Sequence, residues 1–179
     1  MKNVFLHTCC APCLVKCQEV LIDEGFLPTL FWYNPNIHPF IEYKSRKETL
    51  INYANDKNLK LIMQDNYGLR YFINEIYPYL RGKERCEKCY RIRLEETVKQ
   101  AAENRYKYFS TTLLISPYQN HELISEICLE FEKKYEVKFL YKDFRPYFRQ
   151  GQKEARELGL YMQKYCGCIF SEEERYLKI

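Results

Sequence analysis

The sequence predicts an α/β fold, a single-domain three-layer sandwich whose mostly parallel sheet carries helices on both faces. Three observations lead there. Short apolar runs alternate with longer stretches of helical spacing, which is the pattern of βαβ units. At 179 residues the chain suits one domain with a real core and leaves no room for a second. No internal repeat, low-complexity tract or linker divides it, so residues 1–179 read as one cysteine-rich unit.

The first strand is expected at Asn3 to Thr8, followed by a helix from Ala11 to Glu24 that Gly25 can cap. A second strand, Leu27 to Tyr33, runs into Asn34-Pro35-Asn36-Ile37-His38-Pro39, where two prolines and two asparagines forbid helix and fix a loop. A helix over Phe40 to Asn55, a strand over Leu59 to Met63 and a short helix over Leu69 to Leu80 come next. Ile92, Leu94, Val98, Ala101 and Ala102 give Arg85 to Arg105 a helical apolar set. A fourth strand, Tyr108 to Leu113, ends at the loop Ser116-Pro117-Tyr118-Gln119-Asn120. Then come a helix from Glu122 to Tyr135, capped by Asn120, and a strand from Lys138 to Tyr141. The remainder reads as polar helix broken by Gly151, Gly159 and Gly167. In such sheets ligands sit beyond the carboxyl ends of the strands. Cys9 and Cys10, the Asn34–Pro39 loop and the Ser116–Asn120 loop should therefore converge on one site.

Composition removes several classes. The longest apolar runs, such as Leu113-Leu114-Ile115, fall far short of the ~18 residues that span a membrane. Residues 1–9 lack the features of a signal peptide, so a cytoplasmic protein without a membrane partner is expected. No GxxxxGK[ST] or GxGxxG occurs, and thiols stand where a phosphate loop would follow the first strand. That argues against ATP or NAD.

Nine cysteines are too few for a small disulfide scaffold, where they exceed about 8% of residues. They are also clustered: Cys9, Cys10, Cys13 and Cys17, then Cys86 and Cys89, then Cys166 and Cys168, with Cys128 alone. Such clusters point to metal or redox chemistry. Cys86 and Cys89 share one face at the start of a helix, where its N-terminus and the neighbouring Arg85 and Lys88 should favour thiolates. Cys166-Gly167-Cys168 suits shared ligation or a strained redox disulfide. A structural zinc site needs only four sulfurs, and the surplus favours iron–sulfur ligation with a second metal or redox pair beside it. Cys17 and Cys128 read as small core residues, and His7 as a core histidine bonded to backbone.

Five blocks now stand in order: His7-x-Cys9-Cys10-Ala11-Pro12-Cys13; Tyr33-Asn34-Pro35-Asn36-Ile37-His38-Pro39; Cys86-x-x-Cys89-Tyr90-x-x-Arg93-Leu94; Thr111-Thr112-Leu113-Leu114-x-Ser116-Pro117-Tyr118-Gln119; and Tyr165-Cys166-Gly167-Cys168-x-x-Ser171. Together they resemble the cobalamin-independent epoxyqueuosine reductase family, over residues 7 to 171. The resemblance implies a HUP-like domain carrying a [4Fe-4S] cluster. It also implies reduction of epoxyqueuosine to queuosine at the tRNA wobble position, with an external electron donor. It assigns the cluster to Cys9, Cys10, Cys86 and Cys89 and makes Cys166 and Cys168 a redox pair. A competing division gives some of these six to a second iron. Some relatives carry Asp where this chain has Cys13, a softer ligand for a second metal.

Arg81 to Arg93 holds six basic and two acidic residues, a patch beside the CxxC that suits a phosphate backbone. Asn34, His38, Tyr118 and Gln119 are polar or stacking groups suited to a modified base. Turn chemistry accounts for Asn34, and a satisfied loop histidine for His38, equally well. The alternative reading of the whole chain is a zinc-bearing RNA-binding module without catalysis.

Overall fold

The structure, a computed structural model, describes residues 1–177. Its sheet is wholly parallel. β1 (Lys2–His7) is central, flanked by β2 (Phe26–Trp32) and β4 (Tyr108–Thr111), with β3 (Leu61–Met63) and β5 (Lys138–Phe139) at the edges. Val4, Phe5, Leu6 and His7 are fully buried, as expected of a strand covered on both faces. The order β3-β2-β1-β4-β5 means the chain winds one way from β1 to β3, then returns and winds the other way. Right-handed crossovers then place the helices of the first direction on one face and those of the return on the other. α1 (Ala11–Asp23) packs against α2 (Phe40–Asp56) and α6 (Phe148–Glu157), while α4 (Gly82–Glu103) packs against α3 (Leu69–Ile76) and α5 (His121–Tyr135). A last helix, α7 (Ile169–Leu177), follows the CxC segment. No helix among the described residues is long and apolar enough to cross a membrane.

The structure departs from the sequence expectations at identifiable points. The fourth strand stops at Thr111 rather than Leu113, because the Thr111 hydroxyl accepts the Leu113 N–H and turns Thr112–Ile115 into a 3-10 helix. α3 ends at Ile76, since Tyr77 precedes Pro78 and takes an extended conformation. α4 begins at Gly82, three residues earlier than expected, so Cys86 lies a full turn inside it. Gly151 does not break a helix. It lies buried within α6, where a Cβ would stand 3.3 Å from the Lys16 side chain. Asn120 caps α5 as expected, its side chain accepting the Leu123 N–H at 3.2 Å.

Candidate active site and metal centre

The winding reverses between β1 and β4, and ligands bind beyond the strand ends at such a switch. Cys9 and Cys10 lie just past β1, and Thr112 just past β4. Thr112 ties the two ends together: its Oγ1 accepts the Cys9 N–H at 3.1 Å and its hydroxyl donates to Cys9 Sγ at 3.4 Å. One residue earlier, His7 Nδ1 and Thr111 Oγ1 stand 2.9 Å apart. The predicted core position of His7 is correct, but this partner is a side chain. Burial, then the charge of Arg93, pulls the His7 pKa down to about 3, so the ring is neutral.

Pro12 pre-sets the first turn of α1, and Cys10 occupies its cap without making a side-chain cap. One turn of helix then brings Cys13 back toward the strand end. The sulfurs of Cys9, Cys10 and Cys13 lie within 4.8 Å of one another, all buried. Cys9 and Cys10 Sγ are 3.7 Å apart. Two thiolates on one tetrahedral ion, with bonds of about 2.3 Å, stand about 3.8 Å apart, so the set fits a metal. Hydrogen bonds from Cys10, Cys13 and Thr112 hold the Cys9 pKa well below the usual thiol range, and hydrogen bonds to Cys10 and Cys9, with burial, raise Cys13. Gln163 covers the group, its Nε2 2.8 Å from Cys10 Sγ and 3.6 Å from Cys13 Sγ.

Cys86 and Cys89 lie on α4, Cys89 buried and Cys86 partly so. Their thiol pKa values are not lowered as the sequence suggested. Burial raises both, Cys89 to about 12, and the nearby arginine charges only partly offset it. Cys166 and Cys168 also act electrostatically on Cys89, so the CxC lies close to the CxxC. Arg93 links the centres. Its buried guanidinium is destabilised by desolvation, but the charges of Cys89, Cys9 and Cys166 outweigh this and raise its pKa.

The CxC loop is clamped from a distance. Arg46 on α2 is 2% exposed; it pairs with Glu42 at 2.6 Å and donates to the carbonyls of Cys166 (3.1 Å) and Tyr165 (2.9 Å). The Tyr161 hydroxyl holds the other oxygen of Glu42. Gly167 adopts φ +116°, which favours glycine, and its carbonyl accepts the His38 N–H at 2.8 Å. Cys166 is exposed and Cys168 buried, and both are free thiols. Cys166 Sγ and Ser171 Oγ are 2.9 Å apart.

These elements enclose a cavity of about 840 Å³, with Cys9, Cys13 and Cys166 in its wall beside Arg46 and Arg93. Tyr118 and Gln119 line it too. The Tyr90 hydroxyl donates to Gln119 Oε1 at 2.7 Å, fixing that amide. Asn34 and His38 do not line it. Asn34 Nδ2 donates to the Thr8 carbonyl at 3.0 Å, and His38 is fully buried against Tyr67 and Phe72. Their loop braces the CxC instead. Cys17 and Cys128 are fully buried core residues, as expected.

The basic segment around the CxxC is engaged in part, with Arg81, Lys83 and Lys88 left exposed. Arg85 pairs with Glu174 through two bonds of 2.7 and 2.9 Å, Arg91 pairs with Glu87 and Glu130, and Arg93 is buried. Two functional positions escaped sequence reading. Arg46 follows Glu42 by four residues, the spacing of any surface helix pair, and Gln163 sits in a polar stretch with no motif.

Three kinds of similarity bear on this site. A family model described as epoxyqueuosine reductase QueH matches residues 4–174. Two proteins of that same name are similar over nearly their whole length. One, from Dehalococcoides mccartyi, is 35% identical, with 98% of this chain and 96% of the relative covered. The other, from Thermotoga maritima, is 38% identical, with 98% and 93% covered. Among solved structures, a predicted subunit of tRNA methyltransferase from Methanocaldococcus jannaschii shares the fold, with TM-score 0.56 and 14% identity. That match covers 88% of this chain and 75% of the other.

Proposed function

Because this chain belongs to the epoxyqueuosine reductase QueH family, and so reduces epoxyqueuosine in queuosine biosynthesis, we propose that its substrate is the modified wobble nucleoside within a tRNA. The observation that carries this reading is the cavity wall in which Cys9, Cys13 and Cys166 stand beside two buried arginines. About 840 Å³ lies within the range of small-molecule sites, enough for one extruded nucleoside. The reaction works on tRNA in the cytoplasm and does not use cobalamin.

Cys9, Cys10, Cys86 and Cys89 would hold a [4Fe-4S] cluster, with Cys13 available to a second iron. In support, Cys9 and Cys10 stand in one metal-ready group with Cys13, Cys89 is buried and Cys86 partly so, all are free thiols, and Arg93 and Arg46 supply compensating positive charge. A cluster held there would supply electrons one at a time. The chain's own groups do the rest. Deoxygenating an epoxide to an alkene takes two electrons and two protons and releases water. Oxidising Cys166 and Cys168 to a disulfide delivers both electrons and both protons. An external reductant then restores the dithiol. Gln119, oriented by Tyr90, and Arg93 present hydrogen-bond donors to the bound base and its oxygen.

The first measurement is the visible spectrum of anaerobically purified protein before and after dithionite, followed by turnover of epoxyqueuosine-containing tRNA. A broad band that bleaches supports the cluster. A colourless protein with one bound zinc after iron–sulfide reconstitution would overturn it. Cys166→Ser and Cys168→Ser should keep the chromophore and lose turnover; full turnover in either would remove the redox-pair role.

A further inference from the structure

We propose that α6, rather than the basic segment of α4, is the surface on which the anticodon-loop backbone lies; this rests on the tRNA reading above. α6 has two contrasting faces. Gly151 and Ala155 are buried toward α1, where Lys16 pairs with Glu154 at 2.7 Å. Arg149, Gln152 and Arg156 follow at three- and four-residue spacing, so they form one stripe, and all three line the cavity. Arg149 and Arg156 are exposed, and among the described residues neither has a carboxylate partner. Lys164 and Arg175, which also have no carboxylate partner among the described residues, extend this charge along the cavity wall.

Exposed arginines without partners, lined up on a cavity that accepts a nucleoside, fit the phosphates flanking that nucleoside. On α4, Arg85 and Arg91 are engaged by glutamates, and the exposed Lys83 and Lys88 do not line the cavity. The stripe ends on an aromatic platform. Tyr118, 86% exposed, meets Phe148 edge-to-face at 6.1 Å and stands at the cavity with its ring free to stack on a neighbouring base. A loop nucleotide entering the cavity therefore has charge on one side for its backbone and a ring for its neighbour.

The test is fluorescence anisotropy of an unmodified 17-nucleotide anticodon stem-loop RNA against the holoprotein over a range of salt. Arg149→Gln/Arg156→Gln is compared with Lys83→Gln/Lys88→Gln on α4 and with Tyr118→Ala. The α6 double variant should bind about tenfold more weakly, with a salt slope shallower by about 1.4, at about 0.7 per phosphate on a single strand. Tyr118→Ala should bind about tenfold more weakly with an unchanged slope, and the α4 variant should match wild type. If wild type binds and the α6 variant keeps both affinity and slope, the α6 surface is wrong while the tRNA reading stands. If the α4 variant alone loses affinity, the RNA lies across α4. If wild type does not bind RNA at all, the tRNA reading itself falls. Circular dichroism confirms that each variant is folded; all five altered side chains are exposed.

Discussion

Arg46→Met tests the clamp on the CxC loop. The guanidinium is 2% exposed and makes one ion pair and two bonds to loop carbonyls, so its removal leaves Glu42 buried and charged with only the Tyr161 hydroxyl. Removing one partner of a buried pair costs roughly 3–5 kcal/mol. The two orphaned carbonyls lie near the surface and add less. At about 2–4 °C per kcal/mol for a chain of this size, the expected fall in Tm is about 10 °C. Thermal melting of the anaerobic holoprotein measures it. Removing both charges in Glu42→Gln/Arg46→Met should recover most of the loss, because the uncompensated carboxylate is then gone. A second readout separates clamping from general stability. Alkylation of Cys168, only 4% exposed, should accelerate well below the melting range in Arg46→Met. A Tm within about 2 °C of wild type, equivalent to under ~1 kcal/mol, would refute the argument. So would an unchanged Cys168 reactivity.

Gly167→Ala places a Cβ 2.9 Å from Ile37 Cγ1 at φ +116°; it should cost about 1–3 kcal/mol by melting and lower kcat at least tenfold with the chromophore retained. Cys128→Ala, on the buried face of α5, should cost about 1 kcal/mol and leave spectrum and turnover unchanged. The bonds from Arg85 hold the Glu174 carboxyl below its ordinary value of 4.5, so that contact stabilises fully above pH 4.5 and is lost as pH falls through the lowered value. Glu174→Gln should therefore melt lower than wild type at pH 7, and the gap should narrow as the pH is brought below 4.5.

The sheet was legible because its strands are buried on both faces and bracketed by turns, a pattern that local composition carries. Every strand was found, and apart from Gly151, misread as a helix break, the errors fall at element ends, as at Thr111 and Pro78. The thiols were legible because closely spaced cysteines in a chain without a disulfide framework mostly serve metal or redox chemistry. Their electrostatics were not: Arg85 and a helix start argued for low pKa values at the CxxC, but burial is a tertiary property and won. Asn34 and His38 show the same limit. A polar loop beyond a strand can face the ligand or brace a second loop, and only the fold decides which.

Gln163 covers Cys10 and Cys13, and the loop that Arg46 holds at Tyr165 and Cys166 follows directly after it. Their position in the chain imposes an order on assembly. During synthesis at about 5–20 residues per second, the sheet and the two earlier cysteine groups emerge before the segment that covers them. For several seconds the nascent protein presents an open thiol basin, which closes only when the final stretch folds back. A metal bound by these thiols would have a natural interval for delivery before closure, and any change that speeds docking of that stretch would shorten it.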